Sequence, residues 1–522
     1  MKIFLATLSL AIATLQAAEK PNVLVILTDD LGYSDLGCYG GEIETPNLDR
    51  LAANGLRFSQ FYNTAKCHSS RVSLLTGRYC IQAGDISMKK AITIPEILAP
   101  AGYSTLMTGK WHLDKEPTDF GFQKYWGHLS GACNFFKGDN TFRLNGKKWT
   151  VPQKGFYTTT ANVDFGLKFL SEARKEKKPW FLYVAFNAPH APLQPLQEDY
   201  EKYRHRYEGG WDKMNTSRFA KQKEVGLLPK DLKPSVRPDH IPAWDSLTPK
   251  LKDWEARRMA ALAGMIDRVD QETGRLIADL ETAGELDNTL IVFLSDNGAC
   301  PYDRTSRNPD AEPYLPSTTW SDSTGWAWAR NTPFRFYKQN QFEGGISTPA
   351  IFHWPAGIKT KPGTVNDTPT HLVDLLPTIA EITGAPVPKE FPGRQPTPLA
   401  GVSITPLLSG QKMESRPPIH LLFNKDRGLR DGDWKLVSFK SQPWELYNMA
   451  DDRAELTNLA AKEPERVAAM SKQWHDIAKE TTGKDFKPVE AESVPKTNRE
   501  WSDYSGKNGI KTTRRAPKKP KK

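Results

Sequence analysis

Cysteine is scarce in this sequence, with five residues in a chain of 522: Cys38, Cys67, Cys80, Cys133 and Cys300. So few cysteines in so long a chain exclude a small scaffold held together by disulfides. Because the count is odd, at least one cysteine is unpaired or has another use. Long apolar runs are also missing: none reaches the roughly 20 residues of a membrane-spanning helix, so we expect no transmembrane anchor.

The sequence has little net charge outside its last residues. The formal net charge is +10, but residues 507–522 hold eight basic residues and no acidic one, which leaves +2 for the rest. We therefore expect no nucleic-acid partner. Residues 491–522 are predicted to form a basic disordered tail, either an ordinary solvated terminus or a loose contact to a polyanion.

The first 18 residues predict export. They combine an early lysine, an apolar run from Ile3 to Leu15, and small residues at Ala17 and Ala18, which is the layout of a secretory signal peptide. We expect a periplasmic or secreted protein. A large domain is predicted over 19–400 and a smaller α+β subdomain over 401–490, because the proline-rich stretch GAPVPKEFPGRQPTP precedes Gly401.

Short apolar runs alternate with helical segments along the large domain. NVLVIL, at 22–27, and the later runs YSTLMTG, WFLYVAF and TLIVFL are typical of strands buried on both faces. A long helix, from about Asp253 to Ala283, is predicted before the last of them. The pattern predicts an α/β fold with a mainly parallel sheet covered by helices. In the smaller subdomain, HLLF and WKLVSF flank an Asp431-Gly432 turn, as in an antiparallel sheet.

Polar side chains follow each of the four apolar runs, where an open α/β sheet forms its ligand crevice. Each could be a simple turn residue, but together they predict a site: Asp29, Asp30, Lys110, His112, His190, Asp296 and Asn297. The oxygen ligands among them favour a hard cation, calcium in preference to magnesium. With Arg71 and Lys338, the pocket suits an oxyanion, and the histidines offer proton transfer. Ester hydrolysis at sulfur or phosphorus is the class predicted.

The segment CHSSRVSLLTGR, Cys67 to Arg78, resembles the signature of the sulfatases in the alkaline-phosphatase-like superfamily, Cys-x-Pro-Ser-Arg followed by Leu-x-Thr-Gly-Arg. TGKWHL, APHAP, SDNG and KQNQFEGGISTP resemble further family motifs in family order, and the resemblance spans about 21–461. It implies a three-layer sandwich with a large, mostly parallel mixed central sheet, plus a smaller C-terminal subdomain with an antiparallel sheet.

The resemblance also implies a chemistry. In sulfatases a maturation enzyme oxidises the signature cysteine to formylglycine, whose hydrate attacks the sulfur of a sulfate ester and then expels sulfate. Cys67 would be that residue here, and the formylglycine-generating enzyme a partner. Ser69 stands where the commonest signature has proline, in the peptide that the maturation enzyme recognises.

Roles follow from the resemblance position by position. Asp29, Asp30, Asp296, Asn297 and modified Cys67 would hold calcium. Arg71 and Lys110 would hold the hydrate, and His112 would accept its proton when sulfate leaves. Lys110, His190 and Lys338 would bind the sulfate, with His190 and Lys338 also assisting the leaving alcohol.

The substrate is the least constrained part of the sequence. The insertion from Tyr200 to Trp254 is rich in Lys, Arg, Tyr and Trp, and GHLSGACNFF adds His128 and Asn134. These residues are either contacts to a sulfated sugar or ordinary loop and core residues. We expect a sulfated carbohydrate or other sulfated small molecule. The alternatives are a phosphomonoesterase or phosphodiesterase on the same scaffold, and a catalytically silent glycan-binding protein in which Cys67 stays unmodified.

Overall fold

The computed structural model describes residues 20–305 and 310–487. The predicted signal peptide, 1–18, and the predicted basic tail, 491–522, lie outside these residues. Within the described ranges, no helix is both long enough and apolar enough to cross a membrane.

The strands form two sheets. Their bounds are β1 Asn22–Asp29, β2 Leu56–Tyr62, β3 Ser104–Lys110, β4 Lys124–His128, β5 Phe142–Leu144, β6 Lys147–Lys148, β7 Trp180–Pro189, β8 Thr289–Ser295, β9 Ser347–His353, β10 Thr364–Asn366, β11 Thr370–His371, β12 Ile419–Phe423, β13 Asp426–Asp431, β14 Trp434–Ser438 and β15 Glu445–Asn448. The four runs predicted as buried strands are β1, β3, β7 and β8.

The helices alternate with these strands. Their bounds are α1 Pro46–Ala53, α2 Cys67–Thr76, α3 Ile94–Leu98, α4 Thr158–Lys175, α5 Gln197–Tyr203, α6 Gly210–Glu224, α7 Pro249–Thr282, α8 Thr324–Arg330, α9 Glu343–Ile346, α10 Leu375–Thr383, α11 Thr405–Leu408 and α12 Pro464–Thr482. Short 3₁₀ helices lie at Gly37–Tyr39, Asp85–Ser87, Pro117–Phe120, Trp244–Ser246 and Leu372–Asp374. The long helix predicted near 253–283 is α7.

The large sheet is mixed, with a parallel centre. Among the described residues it has eleven strands in the order β10-β2-β9-β8-β1-β7-β3-β4-β5-β6, with β11 beside β2. Strands β8, β1, β7, β3 and β4 run parallel to one another, while β9 is antiparallel to both β8 and β2. The carboxyl ends of β8, β1, β7 and β3 therefore meet at one edge.

Both faces of this sheet are buried. Along β1, Leu24 and Ile26 belong to one hydrophobic cluster, whereas Val23 and Val25 belong to a second cluster on the opposite face. Because side chains alternate across a strand, this assignment requires a layer of helices on each side. The three-layer α/β arrangement expected from the sequence is confirmed.

The small sheet is antiparallel, in the order β12-β13-β14-β15. Helix α12 covers it, with Trp474 packed among the apolar residues of the strands. The exact division at 400/401 stays a prediction. Ile404, Leu407 and Leu408, which follow it, still pack in a cluster of the large sheet.

Candidate active site

Four neighbouring parallel strands deliver polar side chains to one edge of the large sheet. β1 ends at Asp29, and Asp30 follows it; β3 ends at Lys110; Asp296 and Asn297 directly follow β8. β7 ends at Pro189, just before His190. The structure thus brings together the residues that the sequence placed at strand ends, as the topology of open α/β sheets requires.

Cys67 reaches this edge at the start of a helix. After β2 the chain turns through Ala65, whose φ of 58° lies in the left-handed region, and α2 begins at Cys67 itself. The first N–H groups of a helix have no partner within that helix and carry partial positive charge. This geometry suits an anion bound beside Cys67.

Hydroxyl groups of the signature segment hold that turn in place. The Ser69 hydroxyl lies 2.7 Å from the Thr64 hydroxyl and donates a 3.0 Å hydrogen bond to the carbonyl of Lys66. The Ser70 hydroxyl accepts a 3.0 Å bond from the backbone N–H of Thr64. Ser69, which replaces the usual proline, therefore has a structural partner at both ends of the turn.

Arg71 links three of the strand ends from within α2. Its guanidinium donates a 2.9 Å hydrogen bond to the carbonyl of Lys110 and another 2.9 Å bond to Oδ2 of Asp296. It also lies 4.0 Å from Oδ2 of Asp29. The buried guanidinium therefore fixes the relative positions of β3, β8 and β1.

The oxygen-rich set has free ligand atoms. Oδ1 of Asp29, Oδ2 of Asp30 and Oδ1 of Asn297 are buried and accept no hydrogen bond from any described residue. Unbonded buried oxygens are costly unless a ligand compensates them. Three such atoms, from two carboxylates and an amide, fit a hard divalent cation. Both carboxylate oxygens of Asp296 accept hydrogen bonds. Oδ2 accepts one from Arg71, and Oδ1 accepts one of 3.4 Å from the backbone N–H of Asp30.

Buried cations balance the carboxylates. Lys110 donates a hydrogen bond to Asp29, and Lys338 donates one to Asp30. Three carboxyl groups thus face three cations, and a divalent ion would add two positive charges to the site. The charged members are Asp29, Asp30, Asp296, Arg71, Lys110 and Lys338. A buried site with that added positive charge is suited to stabilising an oxyanion.

Lys338 enters through a loop held by two backbone contacts. The N–H of Lys338 donates to the carbonyl of Ala299 at 3.1 Å, and the N–H of Gln339 donates to that of Ala65 at 2.8 Å. The loop is thereby tied both to the segment after β8 and to the turn before Cys67. Burial alone would lower the pKa of Lys338, but Asp30 and Cys67 raise it well above its usual value, so its ammonium persists.

His112 and His68 flank Cys67. Burial and the charge of Lys110 lower the pKa of His112 to about 4, so this imidazole is neutral at neutral pH and can accept a proton. Its φ of 58° is in the left-handed region, a strained conformation that is common at functional sites. Burial would raise the pKa of the Cys67 thiol, but Lys110, Lys338 and hydrogen bonds from His112 and His68 hold it well below its usual value.

His190 lies beside Asp30. Its Nδ1 donates to the carbonyl of Ala191 at 2.6 Å, which directs Nε2 toward Oδ2 of Asp30, 3.6 Å away. Burial lowers the pKa of His190, although Asp30 and Asp29 oppose the change. The Nε2 atom therefore faces the pocket in which the free oxygens lie.

Sequence reasoning missed two residues of this site. His68, the variable residue of the signature, lies beside Cys67, with its ring centroid 5.7 Å from that of His112. Arg330, in α8, donates a 2.8 Å hydrogen bond to the carbonyl of Asp30 and fixes the loop after β1. The position of His68 next to Cys67 could have signalled the first, but no local pattern marks the second.

The aromatic insertion does not form a binding platform. Its large aromatic side chains are buried in the hydrophobic core: Tyr200, Tyr203, Tyr207, Trp211, Trp244 and Trp254. His128 is also buried, and Asn134 accepts the backbone N–H groups of Phe136 and Lys137 in a turn. These side chains are therefore core and loop residues, not contacts to a sulfated sugar. The aromatic ones complete the packing of the hydrophobic core.

All five cysteines lie in the described residues, and none of them forms a disulfide there.

The fold and the site together define a hydrolase of the alkaline-phosphatase-like superfamily.

Comparison with known proteins narrows the class. The sequence model of the Sulfatase family matches residues 21–385, and that of the N-sulphoglucosamine sulphohydrolase C-terminal region matches residues 334–482. The chain belongs to the sulfatase family and is a sulfatase. Membership implies, for the family in general, a formylglycine and a divalent metal ion.

Three relatives illustrate the extent of the similarity. The chain is 32% identical to an uncharacterized sulfatase of Schizosaccharomyces pombe over 88% of this chain and 93% of that protein. It is 28% identical to an N-acetylglucosamine-6-O-sulfatase of Bacteroides thetaiotaomicron, over 94% and 92% of the two chains. The crystal structure of Ps i-CgsB in complex with k-i-k-neocarrahexaose aligns with a TM-score of 0.66 at 26% identity, covering 91% of this chain and 96% of the other.

Proposed function

We propose that this sulfatase hydrolyses sulfate esters of a sulfated carbohydrate, using a formylglycine made from Cys67 and a calcium ion. The observation that carries the proposal is the convergence of Cys67, at the start of α2, with free buried oxygens and three cations at one sheet edge. Asp29, Asp30, Asp296 and Asn297 would hold the ion, with modified Cys67 as a further ligand.

The formylglycine would supply a hydrate hydroxyl as nucleophile, and calcium would supply positive charge beside the sulfate. Around them, Arg71 and Lys110 would hold the reacting oxygens, because both are buried and anchored to carboxylates. His112, neutral at neutral pH, would accept a proton during sulfate release.

The leaving alcohol needs a proton or a charge to stabilise it. Lys338 remains an ammonium because Asp30 lies against it, and it can donate toward the bridging oxygen. His190 directs Nε2 into the same pocket and is suited to contacting the sulfate. Lys338 is thus a donor for the leaving group and His112 a base, and an ester cleavage with a nucleophile and an alcohol leaving group uses both.

A carbohydrate substrate is favoured by the relatives. One is named an N-acetylglucosamine-6-O-sulfatase, and another was solved in complex with k-i-k-neocarrahexaose. In this chain, half-buried His68 lies beside Cys67, and half-buried Phe423 lies against His68 with ring centroids 6.1 Å apart, so both rings could contact a sugar ring. Phe423 lies on β12, so the small sheet contributes to the substrate side.

Two partners and a location complete the proposal. A formylglycine-generating enzyme would have to accept Ser69 in place of proline, and the sequence of residues 1–18 supports export. The basic tail, 491–522, would make at most a loose contact with a polyanion.

The test is hydrolysis by protein coexpressed with a maturation enzyme. Sulfate release from 6-O-sulfated N-acetylglucosamine, carrageenan oligosaccharides and an aryl sulfate is compared with phosphate release from the matching aryl phosphate. We expect sulfate release, and we expect Cys67→Ala to lower kcat/KM by about a thousandfold or more. Cys38→Ala is the matched control. Faster cleavage of the phosphate ester would instead support a phosphatase, and no hydrolysis would support a binding protein.

A further inference from the structure

Three side chains that bind borderline-soft metals converge at Cys67. One ligand atom each from Cys67, His68 and His112 lies within 4.8 Å of the other two. Cys67 is buried, whereas both histidines are half-buried and can be reached from solvent. Nδ1 of His112 makes no hydrogen bond to any residue that the structure describes. The group is therefore a set of convergent ligands with at least one uncommitted nitrogen.

This set differs in chemistry from the neighbouring oxygen site. One sulfur and two imidazole nitrogens suit zinc and related ions, whereas Asp29, Asp30 and Asn297 offer only oxygens, which suit calcium. In a tetrahedral zinc site the bond lengths place such ligand atoms about 3.4–3.6 Å apart. Rotation of the half-buried His68 and His112 side chains could bring the three ligand atoms, now within 4.8 Å of one another, to that separation. Water would be the fourth ligand.

The nearby ammonium groups do not prevent cation binding. Lys110 is bonded to Asp29 and Lys338 to Asp30, so each positive charge has a carboxylate in contact with it. The thiolate is the form of cysteine that ligates metals.

We propose that the unconverted protein, in which Cys67 is still cysteine, binds Zn²⁺ or a similar ion through Cys67 Sγ and one ring nitrogen each of His68 and His112. If the thiol is protonated, its proton passes to solvent as the metal–sulfur bond forms. Binding would cover the sulfur that a maturation enzyme must oxidise, so metal binding and maturation exclude each other on the folded chain. Only this last consequence rests on the proposed function.

The experiment uses the full-length chain produced without a maturation enzyme, with unmodified Cys67 verified by mass. Co²⁺ is titrated in excess Ca²⁺, so that the oxygen site is occupied, and thiolate-to-cobalt absorption is recorded. We expect one Co²⁺ per chain, displaced by Zn²⁺. Cys67→Ser should abolish the band, and His68→Ala should weaken affinity at least tenfold. Cys38→Ser and His205→Ala, at an exposed histidine, should leave the absorption band and the Co²⁺ affinity unchanged.

A second measurement needs no variant. Zn²⁺, added to the same protein in Ca²⁺, should slow alkylation of Cys67 at least tenfold without slowing that of Cys38. Absence of the cobalt band, its persistence in Cys67→Ser, or alkylation unaffected by Zn²⁺ would each overturn the proposal. None of these readouts depends on sulfatase activity, so they leave the proposed function untouched.

Discussion

Lys435, on the small sheet, donates a 2.8 Å hydrogen bond to Oε1 of Glu343, which lies five residues after Lys338 in the large domain. Lys435 also lies 2.7 Å from Glu455, and Arg453 donates to Glu343 at 3.1 Å. All four side chains are buried. The small sheet therefore neutralises the acid that follows the Lys338 loop.

Replacing Lys435 should destabilise the protein strongly. In Lys435→Met two buried carboxylates, Glu343 and Glu455, lose their shared cation, and breaking a buried pair costs about 3–5 kcal/mol. The free energy of unfolding, measured by urea denaturation, should fall by that order. Lys425→Met, at an exposed lysine in the turn between β12 and β13, should change it by less than about 0.5 kcal/mol. Equal effects of the two substitutions would contradict the pairing.

Glu455 should make stability depend on pH. Burial raises the pKa of Glu455 from 4.5 to about 7, with Lys435 opposing the rise and Glu343 adding to it. The contribution of Glu455 to the free energy of unfolding is fully present below pH 4.5 and is lost as pH rises to about 7. The reason is that Glu455 ionises at lower pH in the unfolded chain than in the folded one. The loss is at most about 1.4 kcal/mol per pH unit.

The test compares urea denaturation at pH 5 and pH 7. The decrease in the free energy of unfolding between these values should be smaller in Glu455→Gln than in the parent protein. Glu480→Gln, at an exposed position of α12, is the control and should keep the parent decrease. A Glu455→Gln variant with an undiminished decrease would assign the pH dependence to another group.

The centre of the fold could be predicted because parallel strands buried on both faces are continuous apolar runs. β1, β3, β7 and β8 were recognisable for that reason, and their direction placed Asp29, Lys110, His190 and Asp296 at one edge. The signature segment was recognisable from its residues alone, and the structure begins α2 at Cys67.

Contacts between distant segments could not be predicted. Arg330 and Asp30 are 300 positions apart, and nothing in the local sequence pairs them. The aromatic residues near Trp211 have the composition of either a sugar platform or a core, and only the packing shows that they are buried. The contact of Phe423 with His68 likewise depends on how the small sheet packs against the large domain.

Lys338 should matter most for poor leaving groups. Lys338→Met removes the ammonium proposed to assist the departing alcohol, so kcat on a sulfated sugar should fall by about a hundredfold or more. The loss should be much smaller for an activated aryl sulfate, whose phenolate leaves without help. Lys361→Met, at an exposed lysine, should leave both rates unchanged. Equal losses of Lys338→Met on the two substrates would argue against assistance to the leaving group.

Calcium should stabilise the fold through Asp30. Saturating an ion site to 100 times its Kd adds about 2.7 kcal/mol to the free energy of unfolding. Thermal unfolding of chelator-treated protein should therefore show a rise in Tm with Ca²⁺ that is larger than the rise with Mg²⁺. Asp30→Asn should lose the calcium effect, whereas Asp367→Asn, at an exposed position, should keep it. A Tm that Mg²⁺ raises as much as Ca²⁺ would contradict the choice of metal.

The central claim is that Cys67 becomes a formylglycine despite Ser69. Trypsin cleaves after Lys66 and Arg71 and releases the peptide from Cys67 to Arg71, whose mass reports the modification directly. In enzyme that hydrolyses sulfate esters, the account predicts that this peptide is lighter by about 18 Da than its sequence requires. An active enzyme whose Cys67 peptide has its full unmodified mass would contradict it.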